Sequence, residues 1–153
     1  MTLYLVQHGR SLPREEDPEQ GLSGQGRSEV ERTAAQARVM GLEVSKIIHS
    51  GKKRAFQTAE ILAAHLSPGV SPAMEQGLAP LDDVRAFAST LADRERLMVV
   101  GHLPFMERLA SFLITGSEAT PVIRFVNGGI VCLEHVTDRD AWVIRWALTP
   151  VTA

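Results

Sequence analysis

The six residues TLYLVQ (2–7) are apolar or β-prone with no clean polar–apolar alternation, and this stretch constrains the fold more than any other. A strand with one wet face alternates, whereas a strand covered on both faces does not. The run therefore belongs inside a sheet flanked by helices. Leu97 to Val100 has the same character, and Val44 to His49 is a further short strand. Segments with helical spacing lie between them. Ser23 is placed to cap a helix running to about Met40, with Val30, Ala34, Ala37 and Met40 as its core stripe and Gly41 at its end. A second helix runs from about Lys52 to Leu66, with Phe56, Ala59, Leu62, Ala63 and Leu66 inward, and Ser67-Pro68-Gly69 stops it. Asp82 is the expected cap of a third helix, with Val84, Phe87, Ala88 and Leu91 at helical spacing. Pro104 suits the first turn of a fourth, whose inner face is Phe105, Leu109, Phe112 and Leu113. Gly129 to Val136 and Ala141 to Leu148 are β-rich, and Thr137-Asp138-Arg139-Asp140 joins them as a hairpin. This order predicts an α/β fold, a three-layer α/β/α sandwich with a mixed, mostly parallel sheet and a C-terminal hairpin. The 153 residues carry no repeat or linker, so one domain over 1–153 is expected.

Composition narrows the function classes. The formal net charge is -2 and no basic run is sustained, so nucleic acid is not an expected partner. A single cysteine, Cys132, excludes an internal disulfide and a Cys-rich metal site, and reads as a small buried apolar residue. No basic segment followed by a long apolar run opens the chain, and no stretch approaches the ~20 apolar residues of a membrane helix. A cytoplasmic location and no membrane partner are the expectation.

Ligands of open α/β sheets bind beyond the carboxyl ends of the strands. Three candidate groups fall there. His8 follows the first strand, Ser50, Lys52, Lys53 and Arg54 follow the second, and His102 follows the strand Leu97 to Val100. Helix N-termini at the same edge attract an anion. Two histidines and an arginine on such an edge suit phosphoryl transfer. A neutral imidazole is a good nucleophile, an arginine forks onto phosphoryl oxygens, and a second imidazole can donate to one of them. This chemistry requires no metal or other cofactor. Taken singly, each residue also has a structural reading: a hydrogen-bonded histidine, a solvated cation or a satisfied loop. Their convergence on one edge carries the functional reading. His49, His65 and His135 are read as structural.

The same residues resemble a known family. Gln7-His8-Gly9 is similar to the Arg-His-Gly signature of the histidine phosphatase superfamily, the phosphoglycerate mutase-like proteins. Ser50-Gly51-Lys52-Lys53-Arg54-Ala55-Phe56-Gln57-Thr58-Ala59 resembles its Ser-Pro-x-x-Arg-Ala-x-Gln-Thr-Ala segment. Val100-Gly101-His102-Leu103-Pro104 resembles its second-histidine motif, and Leu22-Ser23-Gly24-Gln25-Gly26 the entry to its first helix. The short length and the Gly-His-Leu-Pro wording are most similar to the SixA-type phosphohistidine phosphatases. The resemblance implies that His8 is the nucleophile that becomes phosphorylated, and that Arg54 and His102 hold the phosphoryl oxygens.

Two departures stand out. Gln7 replaces the family's first arginine, a neutral amide for a bidentate cation, at a cost of a few kcal/mol in transition-state stabilisation if nothing replaces it. Gln7 is still a candidate phosphoryl contact, and Arg10, Arg14, Arg27 or Arg124 could compensate. Gly51 replaces proline and loosens the loop before Arg54. The general acid that an ester leaving group requires has weak candidates. Asp82 reads as a helix cap and Glu75 as an exposed loop residue. Asp83 either faces the site as a proton donor or favours the helix N-terminus. A phosphohistidine needs such an acid less, because its imidazole leaving group has a pKa of about 6.5. The expected function is hydrolysis of phosphohistidine on a protein. The alternatives are a phosphate- or phosphoprotein-binding module without turnover, and a phosphatase of small phosphate esters.

Overall fold

The computed structural model describes residues 1–150. Its elements are β1 (Thr2–Gln7), α1 (Gly24–Val39), β2 (Lys46–His49), α2 (Lys53–Leu66), β3 (Ala73–Met74), α3 (Val84–Ala88), β4 (Leu97–Gly101), α4 (Phe105–Thr115), β5 (Ile130–Val136) and β6 (Ala141–Leu148). The sheet order is β3-β2-β4-β1-β5-β6. The four strands from β3 to β1 run parallel to their neighbours, and β5 and β6 close the far side antiparallel.

The lack of alternation in β1 has the expected cause. Tyr4 and Val6 face a core shared with Val30 and Ala34 of α1 and with Ala59 and Leu62 of α2. Leu3 and Leu5 face the opposite core, with Val84 and Phe87 of α3 and Phe105 and Leu109 of α4. The sheet therefore lies between two helical layers, and β4 is buried at every position.

Local chemistry sets the ends of the elements. Ser23 caps α1 by accepting from the Gly26 amide at 3.0 Å. Gly41, at φ +76, takes the left-handed turn that ends the helix. Met40 is the C-cap and is 49% exposed, so the apolar stripe stops at Ala37. The second strand starts at Lys46, two residues later than the apolar pattern suggested. Asp83, not Asp82, caps α3: its Oδ1 accepts from the Arg85 and Ala86 amides. Asp82 accepts from the Ala79 amide in the preceding turn. Thr137–Arg139 form a single 3-10 turn between β5 and β6. No helix among the described residues is long and apolar enough to cross a membrane.

Candidate active site

Strands β2, β4 and β1 are adjacent and parallel, with Gln7 opposite Gly101 and His49 opposite Val100. Their carboxyl ends therefore share one edge. One residue past each end brings His8, Ser50 and His102 together. The His8 amide continues the ladder by donating to the Gly101 carbonyl at 3.0 Å. The two imidazole centroids are 5.0 Å apart.

Each ring is oriented by the hydrogen bond of one nitrogen. The Nδ1 of His8 lies 2.7 Å from the Gly9 carbonyl oxygen. A carbonyl only accepts, so Nδ1 carries the hydrogen and Nε2 keeps its lone pair. Burial lowers the pKa of His8, and the Arg54 charge lowers it further, against the raising effect of the Gly9 bond. The ring thus stays neutral and nucleophilic below its ordinary range. His102 is 2% exposed, and its Nε2 lies 2.6 Å from Ser50 Oγ. Burial, with the charges of His8, Arg54 and Lys52, lowers its pKa to about 3. Its Nδ1 is buried with no hydrogen-bond partner.

Arg54 is the second residue of α2. It has no carboxylate partner among the described residues, unlike Lys53, which pairs with Asp17 at 2.9 Å. Burial lowers the pKa of Arg54, and the neighbouring Arg14 adds to the shift. Of the four arginines that could compensate for Gln7, Arg14 lines the same cavity as Arg54. Arg10 is instead paired with Glu29 at 3.0 Å, and Arg27 and Arg124 do not line that cavity. Gln7 sits at the end of β1 with its Oε1 buried and unpartnered.

The backbone around His8 is held from three sides. The Gly9 amide donates to Thr58 Oγ1 at 3.0 Å. Asn127 Nδ2 donates to the His8 carbonyl at 3.0 Å, and the Gly128 amide donates to the Gln7 carbonyl at 2.9 Å. Sequence reasoning gave Asn127 no role. Its signal is Asn-Gly-Gly directly before a strand, a turn whose polar side chain must bond something. Gly9 is glycine for space rather than for turning: a Cβ there would meet Val30 at 2.7 Å and Leu22 at 3.0 Å.

Gly51 does not merely loosen its loop. It adopts φ +92, which proline cannot, and its amide donates to His49 Nδ1 at 3.1 Å. His49 is buried and meets Phe56 edge-on at 5.4 Å. Phe56 is therefore not an inner core residue of α2; it is 40% exposed at the rim of the edge.

The three acid candidates are all engaged. Glu75 is partly buried and both its oxygens are taken by Arg94, at 2.7 and 3.1 Å, so it is not a free loop residue. Asp82 bonds the Ala79 amide, and Asp83 caps α3. Among the described residues no three His, Cys, Asp or Glu side chains gather as a metal site.

The family model of the histidine phosphatase superfamily (branch 1) matches residues 3–83. An uncharacterized protein of Picosynechococcus sp. is 35% identical, over 97% of this chain and 99% of its own. Among solved structures, the protein histidine phosphatase SixA complexed with tungstate superposes with a TM-score of 0.82 at 24% identity, covering 98% of this chain and 97% of that one. A putative phosphohistidine phosphatase SixA from Agrobacterium tumefaciens gives 0.76 at 21% identity, with 97% of each chain covered. A putative alpha-ribazole-5'-P phosphatase from Escherichia coli gives 0.75 at 14%, over 100% of this chain and 98% of that one. At these identities the structural matches establish the shared fold.

Proposed function

The chain belongs to the histidine phosphatase superfamily, and from that membership we propose that it hydrolyses phosphohistidine on a protein through a phosphoenzyme formed on His8. The observation that carries the reading is the 2.7 Å contact of His8 Nδ1 with the Gly9 carbonyl, which leaves Nε2 as the free base. The substrate imidazole takes a proton from solvent on its free nitrogen; Nε2 then attacks phosphorus, the P–N bond breaks, and the ring leaves as neutral imidazole with the electron pair of that bond. Arg54 neutralises charge on the phosphoryl oxygens, and His102 donates to one of them through Nδ1. Gln7 is a further amide contact to the phosphoryl group. Water then attacks the phosphoryl group on Nε2, and orthophosphate departs. The positive charge comes from Arg54, so the scheme requires no metal.

The choice of substrate follows from the acids. An alkoxide leaving group needs a proton delivered to it, and Glu75, Asp82 and Asp83 are all held by other partners. An imidazole ring already protonated from solvent leaves as a neutral group without a protein acid. The two SixA-named structures that share this fold support the same choice.

The test is hydrolysis of a protein carrying labelled phosphohistidine, by wild type and His8→Ala. Phosphate release and acid-quenched label on the wild type alone are expected. Retained phosphate binding with no release and no label would establish a binding module instead, with Gln7 as its cause. Faster release from a simple phosphate ester would establish a small-ester phosphatase.

A further inference from the structure

A cavity of about 580 Å³ has Arg54 in its lining, together with residues that take no part in the phosphoryl transfer. Its floor is apolar. Phe56 and Met74 are 40% and 60% exposed there, over the buried His49. Gly51 belongs to the same lining. The Gly51 amide holds His49 Nδ1, and a Cβ on Gly51 would meet Met74 Sδ at 3.0 Å. Its wall is cationic: Arg14, Lys52, Lys53 and Arg54 line it against the single carboxylate of Glu19. Lys53 is committed to Asp17 and Glu19. Arg14 and Lys52 have no carboxylate partner among the described residues. Arg14 is fastened only by its Nε donating to Gln20 Oε1 at 3.2 Å, which leaves its terminal nitrogens free.

This wall lies on a chain whose net charge is -2, so the positive potential is local to the groove. A site for phosphoryl oxygens alone needs neither a second pair of cations nor an exposed aromatic and thioether beside them. Those features suit a chain segment that lays an apolar side chain on the floor and carboxylates against the wall.

We propose that this groove binds an acidic segment of the phosphorylated protein: Arg14 and Lys52 pair with its carboxylates, and Phe56 and Met74 receive an apolar side chain. The proposal rests on the reading of the neighbouring edge as a phosphohistidine site. It adds that the substrate is chosen by the residues around its phosphohistidine.

Binding tests this without requiring turnover. Two fluorescent peptides carry the same non-hydrolysable phosphohistidine mimic, one flanked by Asp and Glu and one by Asn and Gln. Their affinities for the wild-type chain are measured by anisotropy at low and high salt. The acidic peptide is expected to bind about tenfold tighter at low salt, roughly 1.4 kcal/mol, and to lose that advantage at high salt. Arg14→Gln with Lys52→Gln is expected to equalise the two peptides, whereas Lys52→Arg keeps the preference. Equal affinities in the wild type, or a preference that survives the double substitution, would overturn the proposal. Methylenebisphosphonate binding tighter than either peptide would overturn the peptide occupant and make the groove a small-molecule subsite. Failure of the catalytic reading appears separately, as absent hydrolysis of a protein whose phosphohistidine is flanked by acidic residues, by a wild type that still prefers the acidic peptide.

Discussion

The Oγ of Ser50 lies 2.6 Å from His102 Nε2 and accepts from the Lys52 amide at 3.3 Å. When its hydroxyl donates to Nε2, the neutral His102 ring carries its hydrogen on Nδ1, the buried nitrogen that has no partner. Ser50 would then act through His102, as a positioning residue. Ser50→Ala should lower kcat/KM on phosphohistidine about tenfold, or roughly 1.4 kcal/mol, and shift the 15N resonances of His102 toward a mixture of tautomers. Ser50→Thr keeps the hydroxyl and should restore both. Gln7 has the opposite character, since its buried Oε1 bonds nothing. Replacing it by arginine exchanges a neutral donor for a charge-assisted fork. Gln7→Arg should tighten orthophosphate binding about tenfold by calorimetry, or roughly 1.4 kcal/mol. At this scale the meeting of His8 and His102 at one edge could be expected from the sequence because each directly follows a strand end, with Arg54 in the first turn of the helix after β2. Ser50 to His102 and Asn127 to His8 could not be read as bonds, because 52 and 119 residues separate the partners.

Helix α2 shows why one motif spans so many positions. Arg54, Gln57 and Thr58 stand at i, i+3 and i+4, on one face. Gln57 Oε1 accepts from the Leu22 amide at 2.7 Å, and Thr58 Oγ1 accepts from the Gly9 amide at 3.0 Å. The helix that carries Arg54 therefore also pins the loop that carries His8. Thr58 is fully buried, and Thr58→Val leaves the Gly9 amide without an acceptor. That should cost about 1–3 kcal/mol in denaturant unfolding, and should slow phosphoenzyme formation as His8 shifts. The helices and long strands were legible from periodicity and caps. The two-residue strand β3 was not, because it is too short to show a period. Asp82 and Asp83 are both good caps by residue type, and only the backbone conformation chooses Asp83. Phe56 and Met40 misled for one reason: apolar spacing marks a face, while an exposed position on that face depends on what packs against it.

Across the whole molecule, the sheet places three histidines in or beside buried positions, and that must appear in stability. His8, His49 and His102 all have pKa values lowered mainly by burial, His102 to about 3. In the unfolded chain each returns to about 6.5. Between the lowered and the unfolded values the unfolded chain binds more protons, so stability rises with pH there. It is fully present above about pH 6.5 and is lost as the solution is acidified. Carboxylates act in a different window: the Lys53 bond holds Asp17 at about 2 against an ordinary 3.8, so its contribution is lost only below that ordinary value. The range from about pH 6.5 to 5 is therefore a histidine window. Urea unfolding at pH 7.5 and at pH 5 should give a lower midpoint at pH 5 for the wild type. His102→Gln removes the most strongly shifted ring and should narrow that gap, whatever it does to the midpoint at pH 7.5. An equal gap in both proteins would mean that the cost of protonating His102 does not reach the folding equilibrium. A narrowed gap would tie the acid sensitivity of the fold to the same ring that faces His8, since the sheet that joins the strand ends also buries them.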